Sequence, residues 1–248
     1  MKKLVLILTT SLLSITCIAQ NGFYIGYENG AMLERYNYVN TKAQTLTQAS
    51  IGGIFGGFVG FKFDSYSIET GFYGMYSAHP FVDFDYTTSV ASKSLSMCSG
   101  QESWLIPLRF GKEFLVARDK IFIKPEVGFN VMISRDYSEN QPMMGWGQYV
   151  SAFPGDNNWI AAGPDSTRAY GYIPSKSNFS IEPGISSGYR FKEKADIYLK
   201  CSYLANLNPS YYETITHYSE TEIVYATRNL LNTVLFQIGL KYYFAKRE

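Results

Sequence analysis

Leu231 to Phe244 reads LNTVLFQIGLKYYF, and its alternation decides the fold. Val234, Phe236, Ile238, Leu240, Tyr242 and Phe244 are apolar or aromatic, while Thr233, Gln237, Gly239 and Lys241 take positions between them. Successive side chains of a strand point to opposite faces, so this period of two marks a strand with one face in an apolar medium. A tilted strand of about ten residues crosses the hydrocarbon core of a membrane. This segment is long enough to do so.

The ending Gln237-Ile238-Gly239-Leu240-Lys241-Tyr242-Tyr243-Phe244 resembles the C-terminal β-signal of bacterial outer-membrane barrels, with its polar residue, glycine and two spaced aromatics. The resemblance implies that Gln237, Gly239, Tyr242 and Phe244 engage the barrel-assembly machinery during insertion. Here Ala245 to Glu248 follow the closing aromatic, where the family usually ends.

At the other end, Lys2 and Lys3 precede an apolar run from Leu4 to Ile18, and Cys17-Ile18-Ala19 suits cleavage after Ala19. Residues 1–19 therefore read as a secretory signal peptide and residues 20–248 as one outer-membrane β-barrel domain. Acylation at Cys17 would need a small-residue motif that Ser14-Ile15-Thr16 matches poorly. Beyond the signal no run of about 18 apolar residues offers a transmembrane helix.

Loss of Lys2 and Lys3 leaves the mature chain close to neutral, which argues against nucleic acid as a partner. Tyr and Phe number 21 and 17, and Gly 21, a composition that suits a membrane barrel with aromatic girdles. Cys98 and Cys201 are too few for a disulfide scaffold and would lie at different heights, so both are expected free.

Reading for alternation gives eight segments: Gly22 to Arg35, Ser50 to Phe63, Tyr66 to Ala78, Gln101 to Phe114, Lys120 to Ser134, Asn178 to Phe191, Ala195 to Leu207, and Leu231 to Phe244. The connections alternate between long and short. Asp64-Ser65, Leu115 to Lys120 and Lys192 to Lys194 are short, whereas Tyr36 to Ala49, His79 to Gly100, Arg135 to Ser177 and Asn208 to Leu230 are long. The expected fold is all-β, an eight-stranded antiparallel transmembrane up-and-down barrel with short periplasmic turns and long extracellular loops.

Alternation also sorts the charges. Glu28, Glu69, Glu113, Glu126, Glu182 and Asp196 fall on inward positions, as do Lys62, Arg109, Lys124, Arg190, Lys200 and Lys241. An eight-stranded barrel has room only for its own side chains, and buried charge is tolerable only when paired. These residues are therefore expected to form a salt-bridged plug, with no open pore. Ser50 to Phe63 turns a file of glycines inward, and the clusters Gly52-Gly53 and Gly56-Gly57 read as allowing curvature and close backbone approach, since no helix follows to make a phosphate cradle.

Trp104-Leu105-Ile106-Pro107-Leu108-Arg109-Phe110, Lys124-Pro125-Glu126-Val127-Gly128 and Leu199 to Leu207 are similar to strands of the outer-membrane β-barrel family of Bacteroidetes-type bacteria, which includes the PorT-like proteins. Leu105 stands where that family usually has an acid. The resemblance implies a small barrel of the OmpA/OmpX type and leaves open an accessory role in secretion. Its motifs are structural and carry no chemistry.

Few residues suggest catalysis. His217-Tyr218-Ser219 resembles the His-any-Ser pair of small lipid-deacylating barrels, with Glu220 or Glu222 as orienting carboxylates. It falls within a loop, and its neighbours do not continue that family's pattern. His79, before Pro80, has no nucleophile nearby. Asp83-Phe84-Asp85 and Asp156-Asn157-Asn158 lack the spacing of a calcium loop. The aromatic-rich third loop, Arg135 to Ser177, is either a recognition surface, with Trp146, Tyr149, Trp159 and Tyr170 as binding residues, or a lid folded over the barrel mouth. The expected protein is non-enzymatic and cofactor-free. It would lie in the outer membrane among lipid and lipopolysaccharide, and its loops would meet a protein or glycan. A lipid hydrolase on the same barrel is the alternative.

Overall fold

The computed structural model describes residues 22–41, 49–78, 82–83, 94–95, 100–116, 120–135, 143–144, 166–191, 194–218 and 223–244. Eight strands form a wall: β1 (Phe23–Thr41), β2 (Ala49–Phe63), β3 (Tyr66–Ala78), β4 (Gly100–Lys112), β5 (Ile121–Ser134), β6 (Ser177–Phe191), β7 (Ala195–Asn206) and β8 (Ile223–Tyr243). Each pairs antiparallel with the next, and β8 returns to pair with β1, so the sheet closes on itself.

Alternation of side chains explains why these segments are strands. Along β5, Ile121, Ile123, Val127 and Phe129 are exposed on the outer face, whereas Phe122, Lys124, Glu126, Asn130 and Met132 are buried inside. The other strands repeat this arrangement, with Phe55, Phe72, Leu199 and Phe236 outward and Ile54, Tyr73, Lys200 and Gln237 inward. The polar side is thus the inside, the reverse of a soluble barrel. Among the described residues no helix is long and apolar enough to cross a membrane.

The stagger of the strands sets the bore. From Ile25, the paired residues Val59, Thr70, Leu108, Phe129, Ile181, Ala205 and Asn232 lead around the wall to Arg35 on β1, ten residues above the start. Eight strands closed this way leave an interior that side chains can fill. The turn between β2 and β3 is Asp64-Ser65, and Asp64 has φ 52°, a left-handed conformation that Asp tolerates better than most residues.

Several expected boundaries move. β1 runs on to Thr41, with register shifts at Arg35/Tyr36 and Tyr38/Asn40, and β8 begins at Ile223 rather than Leu231. The fourth long connection holds a strand, Tyr211–Tyr218, on the upper part of β8, and Ser166–Tyr172 of the third connection pairs with it in turn. These segments lie beyond the apolar wall, so they lack the one-sided apolar pattern that reveals the others. β4 stops at Lys112; Glu113 still faces inward as the alternation requires, and Phe114–Val116 pairs separately with β5, all three side chains exposed. Gly52 and Gly56 face inward against Met32 and Tyr73, while Gly53 and Gly57 belong to the outer face.

Candidate functional site

The interior is stacked in layers. At the centre, the Arg109 guanidinium donates from Nη1 to Glu28 at 2.8 Å and to the Tyr73 hydroxyl at 2.9 Å, and it reaches Glu182 at 3.3 Å through Nη2. Glu28 also accepts from the hydroxyls of Tyr73 at 2.7 Å and Tyr198 at 2.6 Å, and from Gln237 at 3.3 Å. Lys200 lies 2.8 Å from both Glu126 and Glu182. Glu69 accepts from Lys124, Lys241 and the Tyr24 hydroxyl, each at 2.7 Å. The Lys241 ammonium also stands over the Tyr198 ring at 4.9 Å and the Tyr24 ring at 5.1 Å.

In this belt four carboxylates, Glu28, Glu69, Glu126 and Glu182, meet four cations, Arg109, Lys124, Lys200 and Lys241, all buried. Balanced charge with multiple hydrogen bonds makes such a core tolerable, because an unpaired ion at this depth would be very costly. Toward the short turns lies a second group. Lys62 and Arg190 both contact Glu113, and Arg190 Nε stands 3.7 Å from Asp196. Toward the long loops, Met32, Leu105, Leu204 and Leu235 form a fully buried apolar septum. Above it Glu34 accepts from Ser50 at 2.8 Å. The cavity lined there by Glu34, Ser77, Ser103, Asn206 and Thr233 measures about 10 Å³, room for one water.

Among the described residues these layers fill the bore with buried side chains. Planar-bilayer recordings of the purified chain should therefore show no stable current. Large ion-selective steps would mean that the charged belt is hydrated and open.

All twelve charged residues singled out in the sequence face the interior in the structure. The phenols of Tyr24, Tyr73 and Tyr198 and the buried Glu34 were missed, although each falls on an inward position of its strand. The β-signal positions divide between the two faces. Tyr242 and Phe244 are exposed on the outer wall, where Phe244 stacks on Phe23 at 5.5 Å, while Gln237 and Gly239 face the lumen. Gly239 is there for close approach: a Cβ would lie 2.2 Å from Tyr198 Cζ. Gly60 makes the same room for Tyr24, whose ring carbon would be 2.4 Å away.

The catalytic alternative fares differently. His217 is on the strand Tyr211–Tyr218, its backbone paired with Val224 and Thr167, and not in an irregular loop. Ser219, Glu220 and Glu222 lie outside the described residues, as do His79, Asp156, Trp146, Tyr149, Trp159, Cys98 and the signal segment. The Tyr170 backbone pairs with Thr214 and Met144. Cys201 is free and exposed on the outer face. Among the described residues no group of three or more His, Cys, Asp or Glu side chains could hold a metal.

No family model and no curated protein matches the chain. Among solved structures it is similar to the outer membrane protein OprG from Pseudomonas aeruginosa, at 12% identity over 91% of this chain and 97% of that one, with a TM-score of 0.50. It also overlaps Neisserial surface protein A, at 8% identity over 90% and 97% of the two chains and a TM-score of 0.40. A third overlap is the outer membrane protease OmpT from Escherichia coli, at 10% identity over 91% and 97%, with a TM-score of 0.40. Identities this low concern the fold alone. The likeness to OprG makes the closed wall an eight-stranded barrel of the outer-membrane type.

Proposed function

We propose that this chain is exported by residues 1–19 and sits in the outer membrane among lipid and lipopolysaccharide. There it would hold a β-sheet at the cell surface as a binding platform for a protein or glycan. The observation that carries this reading is the length of β8. It has 21 residues where a tilted spanning strand needs about 9–11. Its upper part, from Ile223, pairs on one side with Tyr36–Thr41 of β1 and on the other with Tyr211–Tyr218, to which Ser166–Tyr172 is added. A hydrogen-bonded sheet is a rigid mount, and recognition needs rigidity to limit ordering entropy. The aromatic residues Trp146, Tyr149, Trp159 and Tyr170 belong to the same long connection and are the candidate contacts. The plugged belt below serves as the anchor. Assembly through the C-terminal β-signal and kinship with the PorT-like accessory barrels of secretion complete the reading.

The test is made on intact cells. In a Cys98→Ser/Cys201→Ala background, a cysteine at Thr216 should react with an impermeant maleimide, while one at Ser65 should not. Cells displaying the full chain should then capture labelled proteins or glycans that cells with residues 209–222 replaced by a short turn do not. Labelling at Ser65 alone would reverse the orientation and end the proposal. In the same strains, mass spectrometry of outer-membrane lipid should be unchanged by His217→Ala or Ser219→Ala. Loss of an acyl chain that depends on Ser219 would favour the hydrolase instead.

A further inference from the structure

The two faces of the wall continue into the sheet above it. Along β1, Leu33, Arg35 and Asn37 are exposed while Glu34 is buried between them, so the outer face runs on upward past the apolar band. Residues paired across antiparallel strands share a face, and the register carries this one across the surface sheet. Asn37, Asn229, Tyr212 and Tyr172 form one row, and Asn40, Thr227, Thr214 and Tyr170 the next. Tyr225, Thr216 and Arg168 form a third. Asn37 is exposed and Tyr212 half-buried, which marks this face as the open one. Leu230 and Tyr211 belong to the opposite face and are buried in one cluster with Ile173. The row of Glu213 and Arg228 is on that opposite face too.

The open face therefore has an unusual composition. Its three rows hold tyrosine, asparagine and threonine, with Arg168 as their one charged residue and no aliphatic side chain larger than threonine. Too few cations are present to recognise phosphate, which calls for charge-assisted bonds. The apolar centre of a protein interface is missing as well. What remains are ring faces beside amides and hydroxyls. Rows two residues apart are separated by about 6.6 Å and strands by about 4.8 Å, the scale of one sugar ring. A pyranose offers C–H groups to an aromatic ring and a rim of hydroxyls to groups that both donate and accept.

We infer that this face holds the neutral saccharide of the lipopolysaccharide surrounding the barrel. Position chooses the occupant. The face stands on the lipid-contacting wall, so a molecule whose acyl chains pack against Leu33 or Phe236 carries its head alongside these rows. In the outer leaflet that head is a saccharide. The uncharged rows select its neutral sugars over its phosphorylated ones. The inference rests on the surface placement of the sheet proposed above and names its partner.

The test uses the full chain folded into phosphatidylcholine–phosphatidylglycerol vesicles. The probe is the neutral saccharide chain that mild acid releases from the lipopolysaccharide of the expressing cells. Binding is read as saturation transfer from aromatic protons of the barrel to ring protons of the sugar. The parent should bind, and Tyr170→Ser/Tyr225→Ser should weaken binding roughly tenfold, the loss of two stacked rings. His217→Ala, on the opposite face, should leave it unchanged. Faster electrophoretic mobility of unheated protein shows that each variant has folded. A parent that binds no saccharide would overturn the inference, as would binding that the tyrosine pair leaves intact. So would a phosphorylated inner-core oligosaccharide that competes as well as the neutral chain, or a benzophenone on Thr216→Cys that captures a protein and no saccharide in intact cells. Surface labelling at Thr216 separates these outcomes from failure of the proposed placement, because a sheet that labels from outside yet binds no sugar refutes the saccharide alone.

Discussion

Arg109→Met is expected to destabilise the barrel by about 3–5 kcal/mol. Methionine fills much of the arginine's volume, so the loss is one of charge more than of packing. Glu28 keeps its bonds from Tyr73, Tyr198 and Gln237, and Glu182 keeps Lys200 and Ser202. The belt nevertheless becomes one cation short, and a carboxylate at full burial has no water to spread its charge into. Urea unfolding in detergent at neutral pH measures the loss. The double variant Arg109→Met/Glu28→Gln restores neutrality and should recover most of it. A loss of less than about 1 kcal/mol for the single variant, the range of exposed pairs, would mean that the belt is hydrated.

Gly239→Val is the second large effect, and it acts through shape. The first atom added would fall on the Tyr198 ring, which would have to leave its place above Gly239 and give up the 2.6 Å bond to Glu28. Overpacking costs about 1–3 kcal/mol, and the lost bond to a charged acceptor adds about 1.5–3 kcal/mol. Folding yield into vesicles, read as the fast-migrating unheated band, should fall steeply. Gly239→Val combined with Tyr198→Ala should recover part of the yield, because the clash disappears with the ring. If the double variant folds no better than the single one, the glycine acts through recognition during assembly and not through packing.

The wall was legible because a membrane imposes a strict pattern on it. Each spanning strand must show apolar side chains to lipid at every second residue, and that rule fixes Phe55, Phe72, Phe129 and Phe236 as outward from sequence alone. Above the lipid the rule lapses. Tyr211–Tyr218, YYETITHY, does not place apolar residues at every second position, so its strand character left no one-sided apolar trace. Alternation likewise assigned Glu69 and Lys241 to the inside, but their meeting could not be read from spacing. It follows from a ten-residue stagger that brings β3 and β8 level across the bore. The phenols of Tyr73 and Tyr198 hid for another reason, since a tyrosine in a barrel suggests a girdle before it suggests a hydrogen-bond donor.

The pairing of β1 with β8 has a kinetic consequence. The longest seam of the wall joins the first strand to the last, from Tyr24 against Tyr243 up to Thr41 against Ala226. Contacts so far apart in the chain carry a high closure entropy and form slowly. No partly synthesised chain can make them. Until Phe244 arrives, the growing sheet has two raw edges, each a template for pairing with a stranger. The time between synthesis and closure is therefore the vulnerable part of this protein's life. Its yield in the cell should depend on how well a holding chaperone masks those edges before closure, more than on the stability of the finished barrel.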